Sequence, residues 1–211
     1  MMRLPISALA FMACLVPTVA QADEPVTLTS ASHAWFDGER QSGWLWGGAG
    51  LLSLGAATSL YRFGDGSDVG RGMAYPMFAF GALQTAIGIG SLARGSGRAD
   101  DLDARIARSP EEARKAEIAR MRTLGLAFLG IELAETAVVI GSVAYAATRT
   151  SPQHDVARGV ALGLATEGGA MLLLDSLAAA RAHTYSGQLD GLSIQVAPTT
   201  AGPGLMVRGV F

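Results

Sequence analysis

Glu132, Glu135, Glu167 and Asp175 stand inside two otherwise apolar stretches of this chain, and Gln84 stands inside a third. Acids in such surroundings have few uses. Low dielectric and mutual repulsion both penalise the charged form, so they favour protonation. Two that share a site can hold one proton or a cation, or they can fasten helices together through hydrogen bonds. No Lys or Arg falls at the same depth to pair with them.

Helical rise gives the depths. Counted from the arginines that flank the stretches, Glu135 lies ~21 Å from Arg149, Glu167 ~14 Å from Arg158 and Gln84 ~20 Å from Arg71. These three meet near the middle of a bilayer, which suggests that Glu135 and Glu167 face each other. Glu132 and Asp175 form a second rung, each ~25 Å from the same arginines. Glu132 and Glu135 are three apart and share a helix face. The five residues are the candidates for proton or cation binding, with fastening as the competing use.

Other chemistries find no support in the sequence. His33, His154 and His183 fall near helix ends or in loops, away from the acids. A carboxylate-only set would be an unusual choice for a transition metal. There is no Glu-x-x-His pair, no phosphate-binding glycine loop ending in Lys-Ser/Thr, and no His-Glu-x-x-His. Ser, His and Asp occur at no informative spacing, and His154-Asp155 reads as a helix-entry cap. No enzyme activity, metal or cofactor is expected. The net charge of −2 gives no reason to expect nucleic acid as a partner.

The elements that position the acids are apolar stretches at Trp44–Leu60, Met73–Ala93, Leu124–Ala147 and Val160–Ala180. About 20 residues of helix cross a bilayer, a length three of them meet and the first approaches. None alternates with period two, so they read as helices. They are apolar all round, which favours a membrane over a water-soluble bundle. Charged residues make up 16% of the chain, against about 25% in soluble domains. Small residues recur every fourth position at Gly43/Gly47, Ala82/Ala86/Gly90, Gly130/Ala134, Ala137/Gly141 and Gly159/Gly163, a spacing that lets helix backbones approach. Trp35, Trp44 and Trp46 are placed as an interfacial aromatic belt.

The chain partly repeats itself. When Asp68-Val69-Gly70-Arg71-Gly72 is laid on Asp155-Val156-Ala157-Arg158-Gly159, Gly43 falls on Gly130, Arg62 on Arg149, Gly81 on Gly168 and Arg94 on Arg181. The arginines and aspartates mark helix ends, where charge sets the register against a bilayer. Two tandem helical hairpins in one orientation follow, related by an axis along the membrane normal. The four acids fall on Leu45, Gly48, Phe80 and Gly88 of the first copy, so they belong to the second hairpin alone.

Between the copies lies a charge-dense segment, 95–122. Ser109-Pro110-Glu111-Glu112 is a good helix start, with Ser as N-cap and Pro at N1. From Pro110 a helix is expected to run unbroken into the third span. Glu111 and Lys115 have ion-pair spacing, and the mixed charges suggest a solvated helix.

At the N-terminus, Arg3 precedes an apolar run from Leu4 to Val16, then Pro17 and Ala20-Gln21-Ala22. This is the pattern of a cleavable signal peptide ending at Ala22, with the mature chain starting at Asp23. Cys14, the one cysteine, falls within it, so the mature chain would have neither a disulfide nor a thiolate metal site. At the other end, Leu192-Ser193-Ile194-Gln195-Val196 alternates, turn material follows, and a second imperfect alternation runs towards Phe211. A short β-hairpin is expected there.

The expected protein is therefore an all-α membrane protein, a four-helix transmembrane bundle made of two tandem hairpins with a short C-terminal β-hairpin. Its segments are a signal peptide (1–22), a periplasmic segment (23–42), the first hairpin (43–94), a charged extramembrane helical linker (95–122), the second hairpin (123–183) and the tail (184–211). A signal peptide and an even number of spans place linker and tail in the periplasm of a bacterial-type envelope, at the inner membrane, with the outer membrane as the alternative. The positive-inside rule argues the other way, because 95–122 is rich in Arg. The expected role is a non-enzymatic scaffold or assembly component whose partners are the lipid bilayer, a second copy of the chain or other envelope proteins. The alternative is a small proton- or cation-coupled transport component.

Overall fold

Among the described residues helix is interrupted at few places, and local features precede α2, α3 and α4. In this computed structural model α1 is Leu28–Phe63, α2 Asp68–Arg108, α3 Pro110–Thr148 and α4 Asp155–Gly191. Ser67 caps α2 by accepting a hydrogen bond from the Gly70 amide at 3.2 Å. Pro110, which lacks the donor an interior position would need, stands at the first turn of α3. Ser109 occupies the expected cap position, but its side chain makes no cap hydrogen bond. Pro152–His154 forms one 3-10 turn before α4. The structure describes residues 27–63, 67–199 and 202–209, with side chains up to Leu192 except that of Ser96. The expected signal peptide lies outside the described residues. The expected hairpin falls where only backbone is described, and the helical body gives it no support.

The helices contain 36, 41, 39 and 37 residues. At 1.5 Å per residue they run ~54–62 Å, nearly twice the ~30 Å thickness of a hydrocarbon core. The bundle accordingly has two halves. One carries the apolar stretches. The other is built from the start of α1, the end of α2, the start of α3 and the end of α4, and carries most of the charge.

That second half qualifies two expectations. Segment 95–122 is helical as expected but not solvated all round: α2 and α3 continue through it and meet at a single residue, Ser109. Leu102, Ala113, Glu117 and Met121 are buried there against Leu28, Trp35, Phe36, Tyr185 and Leu189. This is the larger hydrophobic cluster of the described residues. The tryptophans do not form a belt either. Trp44 is 67% exposed, but Trp35 and Trp46 are 8% and 6% exposed and pack inside the bundle.

Three helices, α2, α3 and α4, are long and apolar enough to cross a membrane. The fourth expected span, on α1, is not among them. Gly, Ser and Thr in its second half lower its hydropathy, and it buries Gly43, Gly50, Ser53 and Ala57 within the bundle. By contrast α3 leaves Leu126, Leu133 and Ile140 exposed, the surface that lipid covers in a membrane protein.

Packing follows the glycines. α1 lies along α2, α3 lies along α4, and α2 packs on α4 to join the two pairs. A Cβ on Gly43, Gly50, Gly81 or Gly88 would strike the facing α1 or α2. Gly72, Gly159 and Gly163 do the same for α2 and α4. The Gly130 and Gly141 stripes of α3 have nothing near them, so that part of the small-residue pattern is not used for packing within the chain.

Candidate functional site

Glu167 enters the apolar half from α4 and is 3% exposed. Gln84 on α2, 1% exposed, donates from Nε2 to Glu167 Oε2 at 3.0 Å. The Ser53 hydroxyl on α1 reaches Oε1 of the same carboxyl. Three helices therefore converge on one acid. Depth alone places Gln84 beside Glu167. Ser53 is a partner the sequence reading missed, because a serine among glycines and alanines looks like one more small residue.

Ser53 Oγ also lies 3.0 Å from the Met77 carbonyl oxygen. A hydroxyl has one proton, and here it has two acceptors in reach. Ser53 on α1 thus stands between the Glu167 carboxyl of α4 and the backbone of α2. The group works as an interhelical clasp.

The other acids gather elsewhere. Glu135 on α3 and Asp175 on α4 bring their carboxyl groups together, with Glu132 close enough for its charge to act on both. Both oxygens of Glu135 are buried and receive no donor among the described residues. Glu132 itself is half-buried and lines a groove of about 310 Å³ between α3 and α4. Arg122 and His183 line the same groove towards the charged half. The expectation that Glu135 and Glu167 face each other is not met. Glu167 points to α1 and α2, while Glu135 meets α4 at Asp175, ~12 Å along that helix from Glu167. No cluster of His, Cys, Asp and Glu suited to a metal ion occurs among the described residues.

The charged half holds a second polar centre that the sequence reading missed. Glu117 on α3 is 2% exposed. Arg120 donates to it through Nε at 2.9 Å and through a second guanidinium nitrogen, and the Tyr185 hydroxyl on α4 donates at 3.2 Å. The Arg120 guanidinium also lies 5.9 Å from the Trp35 ring centroid and 6.0 Å from that of Phe36. Trp35 stacks on Tyr185 at 5.4 Å. Burial alone would lower Arg120, but the bonds to Glu117 outweigh it and hold the guanidinium above its ordinary value. Burial, reinforced by the Glu117 charge, pushes the Tyr185 phenol up. Burial likewise pushes Glu39 up, against the opposing pull of Arg120 and Arg98. The one available signal was the i,i+3 spacing of Glu117 and Arg120 within the series Ala113, Glu117, Met121, which share a helix face. It reads equally well as a solvated ion pair.

Comparison with protein-family models, curated proteins and solved structures found no match.

Proposed function

We propose that this chain is a membrane-embedded scaffold or assembly component without enzymatic activity, exported to a cell envelope by its N-terminal signal. One observation carries the reading: the buried acid of the apolar half, Glu167, is tied to Ser53 and Gln84 by hydrogen bonds that join α1, α2 and α4. An acid so enclosed fastens helices. The inner membrane is the proposed site, with segment 95–122 and the tail in the periplasm. The pattern from Arg3 to Ala22 supports export. Two tandem copies of one hairpin make up the bundle, a reading supported by the contact of Gly72 with its repeat mate Gly159. The tail ends in a β-hairpin in this reading. Its alternating sequence supports that.

A second reading is proton or cation handling, and it now rests on Glu135, Asp175 and Glu132 alone. It is favoured by the buried, donorless oxygens of Glu135 and by the groove in which Glu132 lies. Substitution separates the two readings. Glu167→Gln keeps a side chain of the same size that can hydrogen-bond to Ser53 and Gln84, and should leave the melting temperature in detergent nearly unchanged. Glu167→Leu should cost about 0.6–2 kcal/mol, the range of interhelical hydrogen bonds in membranes. In vesicles loaded with a pH dye, the scaffold reading expects no flux above empty vesicles. Flux that Glu135→Gln or Asp175→Asn abolishes would replace the scaffold reading with the second one.

A further inference from the structure

Beside the α1/α2 pair, where the apolar half passes into the charged half, a groove of about 390 Å³ runs along α2. Its apolar end is lined by Ala86 and Ile87, its middle by Gly90 and Ser91, and its charged end by Arg94 and Arg98. All lie on one helix, so their order is a depth order. Arg94 lies ~10 Å and Arg98 ~16 Å beyond Ile87 along the axis. The groove exists because the residues in its middle are small: a Cβ on Gly90 would meet nothing within 4 Å.

The charges are unevenly matched. Arg98 approaches Glu39 at 3.9 Å, and Glu39 is the one acid lining the groove. Asp101, the next acid on this face, pairs with Arg105 at 3.2 Å. Arg94 is exposed and has no carboxylate within ion-pair distance among the described residues. The groove therefore carries one net positive charge at the level where an apolar span ends. An apolar trough opens directly beneath it.

We infer that this groove binds one anionic phospholipid of the surrounding membrane, with the phosphate at Arg94 and Arg98 and the upper acyl chain over Ile87 and Gly90. A phosphodiester matches the single unbalanced charge, and Arg is suited to it because its planar donors meet phosphate oxygens two at a time. The apolar trough below selects an amphiphile over a free anion. Basic pockets on membrane helices at headgroup depth recognise lipid in this way. The inference rests on the membrane reading of α2.

The test uses the full chain, purified in neutral detergent and stripped of lipid. Dioleoyl-phosphatidylglycerol, dioleoyl-phosphatidylcholine and inorganic phosphate are each titrated, and bound molecules are counted by native mass spectrometry. The wild type should retain phosphatidylglycerol over phosphatidylcholine by roughly tenfold, the scale expected of one or two arginines near an anionic headgroup. Arg94→Gln with Arg98→Gln should abolish that preference. Gly90→Leu should fill the trough and lose the lipid without lowering the lipid-free melting temperature, because Leu is the better helix former and a Cβ at this position meets nothing within 4 Å. Equal phosphatidylglycerol retention in the wild type and both variants would overturn the inference, as would inorganic phosphate competing as strongly as the lipid. A chain that stays dispersed without detergent overturns the membrane reading instead, which separates the two failures.

Discussion

Gly72 and Gly159 press on each other reciprocally. A Cβ on Gly72 would collide with the Val156 carbonyl oxygen and lie 3.0 Å from Gly159 Cα. A Cβ on Gly159 would collide with the Val69 carbonyl oxygen and lie 3.0 Å from Gly72 Cα. Each residue is the mate of the other under the sequence offset that brings Asp68 onto Asp155, and so are Val69 and Val156. The first turns of α2 and α4 thus cross with their backbones in contact, and only hydrogen fits between them.

Replacing either glycine should loosen that crossing. Gly72→Leu or Gly159→Leu is expected to cost about 1–3 kcal/mol through overpacking against backbone that cannot rotate away. Gly47→Ala is the control, since a Cβ there meets nothing within 4 Å. It should be neutral or mildly stabilising, because Ala is the better helix former. Thermal unfolding in one detergent would show this order, and a Gly72→Leu protein as stable as the wild type would refute the close crossing.

The centre in the charged half should be costly to break from one side. Glu117→Ala removes both the carboxylate of Arg120 and the acceptor of Tyr185. Arg120 remains partly open to solvent, so a loss of about 2–3 kcal/mol is expected, short of the 3–5 of a fully buried pair. Glu117→Gln keeps an acceptor for Tyr185 and should lose less. Near-ultraviolet circular dichroism would report the change, because Trp35 and Tyr185 stack beside the pair.

Glu39 gives stability a pH dependence. Burial raises it above the ordinary 4.5, so the folded state holds its proton more tightly than the unfolded chain does. The resulting stabilisation is fully present below pH 4.5 and is lost as pH rises through the raised folded value. Relative to Glu39→Gln, the wild type should lose stability with rising pH across that window. A constant stability difference between the two proteins from pH 4 to 8 would contradict the burial of this carboxyl.

Topology can be read with cysteines at the two ends of the bundle. Ala113 is buried, so a thiol there would be masked. Glu112 and Ser151 are exposed and lie at opposite ends. In spheroplasts, Glu112→Cys should react with a membrane-impermeant maleimide and Ser151→Cys only after lysis. The reverse pattern would place the arginines of 95–122 in the cytoplasm.

Periodicity, length and composition determined that the described body is four helices and that several suit a membrane, because these are local properties of each segment. Depth along a helix is also a local quantity, and it brought Gln84 level with Glu167 before any packing was known. Which way a side chain faces is not local when a helix is apolar all round. Nothing in the chain says that Glu167 turns to Ser53 while Glu135 turns to Asp175, since every direction round α3 and α4 reads alike. The same limit hid Glu117. A charged residue among other charged residues looks solvated until neighbouring helices close over it; the run of α3 from Pro110 was legible, and only the tertiary structure showed that α1 and α4 extend far enough to cover it. Trp35 and Trp46 went the same way: their spacing fits an interface, but both rings are buried within the bundle, where Trp35 stacks on Tyr185. The sequence therefore determined the elements and their depth. The packing of α2 on α4 at Gly72 and Gly159 decided which residues meet.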